Sequence, residues 1–141
     1  MPTDSLCDFT FQTTPDGITP DQLHGFFEGW PTPPSPDTLL RILHASQARA
    51  VARLTDGTVV GLVTAISDGV LSAYLPLVEV RHEWRGQGVA SRLVELVMAA
   101  LGDLYMIDTA CDDELVPFYE RFGMVRGNAM IRRDYARQAG R

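Results

Sequence analysis

A glycine-rich turn between an apolar stretch and a helical pattern is the part of this chain best suited to chemistry. Residues Arg85 to Ala90, which we call the glycine turn, contain Gly86 and Gly88, and the helical pattern follows at once. Glycine lets the backbone approach an anion closely, and the first turn of a helix points unpaired N–H groups and the positive end of its dipole at the same place. The turn is therefore predicted to bind a diphosphate through main-chain amides.

Two well-known phosphate-binding turns can be compared with this one, and neither fits. A P-loop ends in Gly-Lys-Ser/Thr, and this stretch has no lysine, while the dinucleotide fingerprint needs three spaced glycines near the start of a βαβ unit. The pattern that fits is Arg/Gln-x-x-Gly-x-Gly/Ala, met by Arg85, Gly88 and Ala90. On these residues the chain resembles the GNAT superfamily of N-acetyltransferases, which bind acetyl-coenzyme A.

A second stretch, from Val116 to Met124, supports the resemblance. It includes Phe118, Tyr119 and Gly123 and is similar to the family's helix that ends in Phe-Tyr-x-x-x-Gly-Phe. By itself, an aromatic pair on a short helix closed by glycine would be a core contact and a C-cap. Its position after the glycine turn, with one strand between them, favours the family signature.

The resemblance implies which residues hold the coenzyme. In this family the strand before the turn splays from its parallel neighbour, and the pantetheine arm bonds to the exposed backbone like an added strand. Pro76 is compatible with a bulge in that strand, although it could instead begin a shorter strand at Leu77. The cofactor-binding residues implied are Val78, Val80, Arg85, Gly86, Gln87, Gly88, Val89, Ala90 and Ser91.

Amide formation from a thioester requires a neutral amine, and Glu79 is our candidate base. An alkyl amine has a pKa near ~10.4, so its proton must be removed at neutral pH. Glu79 interrupts an apolar run, where a carboxylate would be costly unless it faced a polar cleft. Strand alternation could instead place it against solvent or in a salt bridge to Arg81. His82, in the loop after the strand, is a weaker candidate.

The departing thiolate needs a proton, and the resemblance implies Tyr119 as the general acid. A phenol with its ordinary pKa of ~10 stays protonated at neutral pH. The oxyanion would be polarised by the main-chain N–H of Val80 or its neighbour. Asp112 is expected only to cap the following helix, and Cys111, expected to be a buried thiol, is not expected to form an acyl intermediate.

The elements that would position these groups are predicted in the order β-α-α-β-β-β-α-β-α-β. Turns at Asp56-Gly57 and Asp68-Gly69 are hairpin signals. This order, together with the resemblance, predicts an α/β (α+β) GNAT fold in a single domain, residues 1–141, with a mixed, mostly antiparallel sheet. The predicted strands are Leu6–Thr13, Arg49–Leu54, Thr58–Ile66, Val70–Val80, Leu104–Ala110 and Met124–Asp134, and the fifth is expected to be buried and parallel to the fourth. The first two predicted helices begin after Thr19, with Leu23, Phe26 and Phe27 as its apolar side chains, and after Asp37. The other two span Gly88–Leu101 and Asp113–Phe122.

Composition excludes several classes of protein. Twelve basic and 18 acidic side chains give a formal charge of −6, which argues against a nucleic-acid surface. No signal peptide is evident, and no apolar run approaches the ~18 residues of a membrane span, so a cytoplasmic protein is expected. The two cysteines, Cys7 and Cys111, lack zinc spacing and are not expected to form a disulfide.

The sequence therefore predicts an N-acetyltransferase that uses acetyl-coenzyme A as co-substrate, without a metal, and transfers directly to a primary amine in a ternary complex. The acceptor would be a small-molecule amine or a protein amine, with no nucleic acid or membrane partner, and a homodimer is possible. Two alternatives are a non-catalytic acyl-coenzyme A sensor and a domain that binds a mononucleotide at the glycine turn.

Overall fold

The sheet of this protein is mixed and mostly antiparallel, as predicted. The computed structural model describes residues 9–141 and contains a five-stranded sheet in the order β1-β2-β3-β4-β5. Neighbouring strands from β1 to β4 are antiparallel, and β4 and β5 are parallel. The strands are β1 Thr10–Gln12, β2 Ala48–Arg53, β3 Val59–Ser67, β4 Ser72–Val80 and β5 Met106–Asp108.

Three α-helices of the described residues accompany the sheet, and the mixed α/β fold class is confirmed. They are α1 Pro36–Ala45, α2 Val89–Leu101 and α3 Val116–Glu120. Single 3₁₀ turns cover Pro20–Gln22, His82–Trp84, Asp113–Leu115 and Tyr135–Arg137. None of the helices in the described part of the chain is long and apolar enough to cross a membrane.

Both Asp-Gly hairpin turns are confirmed. Gly57 has a φ of +94°, which suits glycine, and the Asp56 carboxylate accepts a hydrogen bond of 2.9 Å from the Thr58 N–H. At the β3–β4 turn the Asp68 carboxylate accepts hydrogen bonds from three successive main-chain N–H groups, those of residues 70–72. These bonds stabilise the ionised form and lower the pKa of Asp68 to about 2.

The two faces of the sheet are covered by different helices. The buried side chains of α2 pack with one face of β2, β3 and β4, and those of α1 pack on the other face. Helix α2 lies very close to the sheet at Gly61, where a Cβ atom would be 3.0 Å from side-chain carbons of both Val89 and Leu93. A Cβ atom here would press on both side chains, so glycine suits this close approach.

The predicted helix after Thr19 is wrong. The structure has only the 3₁₀ turn Pro20–Gln22 there, and the chain then leaves helical geometry at Gly25, with φ +89°, and Phe27, with φ +62°. Leu23 and Phe27 are nevertheless buried beside α1, so the apolar pattern correctly predicted that these two residues belong to the core. At the N-terminus, β1 is shorter than the predicted strand, whose residues 6–8 lie outside the described range.

The C-terminal third departs most from prediction. Strand β5 has three residues rather than seven and is largely exposed rather than buried, and α3 begins only after a 3₁₀ turn. The predicted final strand, Met124–Asp134, does not form within residues 9–141. A strand needs a neighbour to bond its backbone, and this stretch pairs with no strand of the described chain.

Candidate active site

Strands β4 and β5 pair over only part of their length. Their register runs from Ser72 opposite Met106 to Tyr74 opposite Asp108, and β4 then continues alone. Just beyond, the Thr109 hydroxyl donates a 2.8 Å hydrogen bond to the carbonyl of Leu75. The parallel pair therefore separates toward the carboxyl end of β4, where the resemblance implies the coenzyme arm.

A bulge in β4 accompanies this separation. Thr64 lies opposite Leu77 and Ile66 opposite Tyr74, so two residues of β4, Leu75 and Pro76, face one residue of β3. Pro76 lies inside β4 at this bulge. The predicted bulge is confirmed, and the alternative in which Pro76 begins a shorter strand is wrong.

The backbone of β4 beyond the bulge presents amides to the separated side. The Arg81 N–H bonds the Val60 carbonyl of β3 at 2.8 Å. Because amides point alternately to the two sides along a strand, the N–H groups of Val78 and Val80 point away from β3. These are the two strand residues that the sequence assigned to the cofactor.

The glycine turn and the start of α2 leave main-chain donors available. Gly86 and Gly88 have φ values of +77° and +84°, in the left-handed region. Within the described chain no side chain caps α2, whereas the Ser35 hydroxyl caps α1 by accepting from the Thr38 N–H. The first three N–H groups of α2 are thus not used by the helix itself and are directed at the turn.

A cleft of about 690 Å³ brings most of the predicted site residues together. Gln87, a predicted cofactor contact, is not among its lining residues. Those predicted from sequence that do line it are Val78, Glu79, Val80, Arg85, Gly86, Gly88, Val89, Ala90, Ser91 and Tyr119.

Glu79 is tied to the loop before α1. Its Oε1 accepts a 3.0 Å hydrogen bond from the main-chain N–H of Phe27, which lies 52 residues earlier. Burial raises the pKa of Glu79, against the opposing effects of the Phe27 N–H and the Arg85 cation. The alternative pairing with Arg81 is wrong, because the Arg81 Nε lies 3.0 Å from a carboxylate oxygen of Glu83.

Tyr119 is a buried phenol on the other wall of the cleft. Burial is the largest cause that raises its pKa to about 12, and the nearby Cys111 raises it further, while the Thr109 side chain opposes the shift. A smaller contribution comes from Glu79. Tyr119 therefore holds its proton more firmly than a free phenol does.

Arg85 connects the glycine turn to the loop before α1. Its Nε donates a 3.0 Å hydrogen bond to the Val80 carbonyl, and its Nη1 lies 3.7 Å from Glu28 Oε1. His82, the weaker candidate base, also approaches Glu28, at 3.5 Å, and does not line the cleft. The Arg85 guanidinium thus holds the end of β4 in addition to facing the cleft.

Several lining residues were not predicted as site residues: Trp84, Asp112, Leu115, Phe118 and Arg121. Arg121 is the most informative, because its Nη2 donates a 2.8 Å hydrogen bond to the Ser91 hydroxyl in the first turn of α2. Its guanidinium also lies 4.9 Å from the centre of the Phe118 ring. The only sequence signal was its place one helical turn after Phe118.

Two expectations for minor residues need correction. Asp112 precedes the 3₁₀ turn Asp113–Leu115, but its side chain makes no capping hydrogen bond. Cys111 is exposed rather than buried. Across residues 9–141, no three His, Cys, Asp or Glu side chains converge as ligands of a metal ion would.

Comparison with known proteins finds solved structures that are similar to this chain. A structure of a candidate acetyltransferase from Deinococcus radiodurans R1 is 55% identical, with a TM-score of 0.94, over 99% of this chain and 97% of that one. Another, from Xanthomonas campestris, is 24% identical with a TM-score of 0.75, and the match covers 93% of this chain and 96% of that one. A third structure is an aminoglycoside acetyltransferase from an uncultured soil metagenomic sample in complex with sisomicin. It is 15% identical with a TM-score of 0.63, and the match covers 93% of this chain and 97% of that one.

The last two similarities, below 25% identity, show the fold alone. A search of curated proteins found no match. The family model described as "Acetyltransferase (GNAT) family" matches residues 16–124, which is more than half of the chain. The chain therefore belongs to the GNAT family of acetyltransferases.

Proposed function

We propose that this protein transfers an acetyl group from acetyl-coenzyme A directly to a primary amine. The supporting observation is that one cleft contains an uncapped helix N-terminus, a half-buried carboxylate and a buried phenol. These groups match the three requirements of the reaction, which are a binding site for the diphosphate, a base for the amine and an acid for the leaving thiolate.

The residues present fit the coenzyme. Its diphosphate would accept hydrogen bonds from the N–H groups of Val89, Ala90 and Ser91, with Arg121 beside Ser91 as a nearby cation. Its pantetheine arm would bond to the main chain of β4 at Val78 on the separated side, and the Val80 N–H would face the thioester end of the arm. When bound, acetyl-coenzyme A supplies the thioester carbonyl.

Glu79 would take the proton from the amine. One carboxylate oxygen is engaged by the Phe27 N–H, which fixes the orientation of the side chain. The second oxygen would accept the amine proton. Because burial raises the pKa of Glu79, the carboxylate is a stronger base than an exposed glutamate.

Tyr119 would act on the sulfur. Its pKa of about 12 lies well above the ~8.5 of a free thiol, so full proton transfer to a thiolate is uphill by roughly 3 to 4 pKa units. The phenol therefore acts first as a hydrogen-bond donor that stabilises charge on the departing sulfur. The main-chain N–H of Val80 would polarise the carbonyl oxygen on the same side.

The proposed acceptor is a cationic amine, either a small molecule or a protein amine. The protein carries a formal charge of −6, and the exposed carboxylate of Glu28 follows directly after Phe27, which is bonded to Glu79. The chain itself has no lysine, so its own side chains offer no acetyl-lysine background in an assay of protein substrates.

Ligand binding tests the first half of the proposal. Thermal unfolding of the full chain should shift upward with acetyl-coenzyme A, since a ligand at a hundredfold its Kd adds ~2.7 kcal/mol of stability. ATP at the same concentration should give no comparable shift. Stabilisation by ATP alone would instead support a mononucleotide site.

Turnover of an amine panel tests the second half. Tyr119→Phe should lower kcat by roughly a hundredfold and leave the affinity for acetyl-coenzyme A unchanged, because the phenol acts on the leaving group. Tyr105→Phe, which removes an exposed hydroxyl, is the matched control and should retain wild-type kcat. Binding of acetyl-coenzyme A without turnover of any amine would favour a sensor.

A further inference from the structure

A row of three side chains crosses the sheet beside the proposed active site. Ile66 of β3 lies opposite Tyr74 of β4, and Tyr74 lies opposite Asp108 of β5. Directly paired residues point their side chains to the same face of a sheet, and successive residues point to opposite faces. Because Leu75 and Ile107, the next and the preceding residue, pack with α2, this row, which we call the Tyr74 row, is on the α1 face.

The Tyr74 row is not covered by α1. Among the described residues, the core beneath α1 includes Leu62 and, at its margin, Leu77, but no member of the row. Ile66 is 61% exposed, Tyr74 is 37% exposed, and Asp108 is also exposed. Tyr74 and Asp108 form the last pair before β4 and β5 separate. An aromatic ring and a carboxylate thus lie on neighbouring strands, ~4.8 Å apart, on an open part of the sheet.

The proposed base points to the same face. Glu79 lies opposite Leu62, whose side chain is buried against α1. Helix α2, whose first turn would hold the diphosphate, lies on the other face. The coenzyme and the amine would therefore approach the gap between β4 and β5 from opposite faces, and the Tyr74 row is on the side of the amine.

The distance between the base and the row suits the length of a short alkyl chain. Their partners on β3, Leu62 and Ile66, are four residues apart, so the two rows are ~13 Å apart at ~3.4 Å per residue. Burial is the largest cause of the raised pKa of Tyr119, and Tyr74 and Glu79 are smaller causes. Both residues are thus close to that phenol, so an amine between Glu79 and Tyr119 would react within reach of the row.

The charge of the row is not neutralised by the rest of the described chain. None of the ion pairs within residues 9–141 includes Asp108. Arg49 is on the same face but two strands away, on β2, where its guanidinium donates to the Ser46 carbonyl. A carboxylate attracts a cation by charge, and an aromatic ring attracts it through its quadrupole. The Tyr74 row therefore suits a positive group of the acceptor.

We propose that Tyr74 and Asp108 bind a second cationic group of the acceptor and so select diamines over monoamines. This inference rests on the proposed function, because it concerns the far end of the amine whose near end Glu79 would deprotonate. Leu77 lies between the two ends on the same face and would contact the methylene chain. The acceptor class is a linear amine with a second ammonium group across an apolar chain.

Comparison of two amines of equal length tests the selection. Wild type should prefer hexamethylenediamine to hexylamine by about tenfold in kcat/KM, as expected for one exposed ion pair and one cation–π contact together. Asp108→Asn and Tyr74→Leu should each lower this ratio several-fold, whereas Tyr74→Phe, which keeps the ring, should retain it. Asp103→Asn, at an exposed carboxylate after α2, is the matched control and should show the wild-type ratio.

Charge reversal gives a positive test. Asp108→Arg should reverse the preference, so that ε-aminocaproate, which ends in a carboxylate, becomes a better acceptor than hexamethylenediamine. Calorimetry with coenzyme A present should show weaker binding of the diamine to Asp108→Asn than to wild type. Binding of acetyl-coenzyme A by each variant verifies that it is folded.

The outcomes separate this inference from the proposed function. If the amines are acetylated but wild type shows no preference for the diamine, or Asp108→Asn keeps the wild-type ratio, the inference fails and the proposed function stands. If neither amine nor any other member of the amine panel is acetylated, both fail.

Discussion

At the scale of single residues, Glu79 combines a structural and a proposed chemical role. Its carboxylate holds the loop at Phe27 through one hydrogen bond, and Phe27 is itself in the left-handed region, which is unusual for a residue with a Cβ. Strained backbone of this kind is found where surrounding contacts over-determine it. The bond to Glu79 is one such contact, so the loop and the proposed base depend on each other.

The raised pKa of Glu79 predicts how activity and stability respond to Glu79→Gln. The amide can still accept from the Phe27 N–H but cannot take a proton, so kcat should fall by roughly a hundredfold. The acid-side fall in wild-type rate should also disappear. Glu83→Gln, at an exposed carboxylate, is the control and should preserve the wild-type pH profile. An unchanged profile in Glu79→Gln would contradict the base assignment.

Stability should move in the opposite direction from activity. A folded-state pKa above the unfolded value means that the Glu79 contribution is fully present below the unfolded pKa and is lost as pH rises through the folded pKa. At pH 7 the wild type therefore bears the cost of a half-buried charge, which Glu79→Gln removes. The melting temperature of the variant should equal or exceed that of wild type at pH 7, with a smaller difference at acid pH.

Site residues could be predicted from the sequence only where they belong to a short sequence motif. The glycine turn and Tyr119 are parts of short patterns and could be identified from neighbouring residues alone. The contact of Glu79 with Phe27 spans 52 residues, and that of Arg121 with Ser91 spans 30. No spacing rule in one sequence indicates such contacts, so the bond between Phe27 and Glu79 and the place of Arg121 in the cleft were missed.

At the scale of elements, helix α2 differs from α1 in how its first turn is completed. Ser35 satisfies a donor at the start of α1, whereas α2 starts at Gly88 with no side-chain acceptor. An uncapped N-terminus costs typically ~1 kcal/mol relative to a capped one. That cost would be recovered when an anion binds there.

Gly88→Ala tests the binding role of this helix start. An alanine at φ +84° costs roughly 1–2 kcal/mol in backbone strain and adds a methyl group beside the proposed diphosphate. We expect both a lower melting temperature and at least a tenfold loss of acetyl-coenzyme A affinity, measured by calorimetry.

Gly102→Ala, at the other end of the same helix and with φ +77°, is the matched control. It should also reduce stability, because its backbone is unfavourable for alanine. Its coenzyme affinity should remain that of wild type. Equal losses of affinity in both variants would mean that helix stability, rather than the glycine turn, controls binding.

The elements that were predicted correctly are bounded by turn or capping residues that are close together in sequence. Asp56-Gly57 and Asp68-Gly69 located the two hairpins, and the helix predicted after Asp37 corresponds to α1, which begins at Pro36. The helix after Thr19 failed because Gly25 adopts a positive φ that its apolar spacing did not reveal. The final strand failed because a strand is defined by its partner, which local pattern cannot specify.

At the scale of the whole molecule, negative charge should select the acceptor. The formal charge of −6 attracts cations over a distance set by salt, with a Debye length of about 30 Å at 0.01 M and 8 Å at 0.15 M. The alternatives of nucleic-acid or anionic acceptors would be repelled by the same field.

Salt dependence of KM tests this selection. For a diamine, KM should rise several-fold between 0.01 and 0.15 M salt, because screening weakens the attraction of its second cation. An amino alcohol of equal length, which has one charge fewer, is the matched control and should show a smaller rise. The kcat of either substrate should change little. A KM ratio that is independent of salt would argue against charge-based recognition.

The absence of a side chain at position 61 links the packing of the molecule to its proposed reaction. Gly61 lies opposite Val80 in the sheet and directly beneath the first turn of α2. One backbone position thus sets the spacing between the amide that would polarise the carbonyl and the helix end that would hold the diphosphate. A larger residue there would press on the side chains of Val89 and Leu93. Any outward shift of the helix would lengthen that span, so a donor of fixed arm length would fall short of the amide.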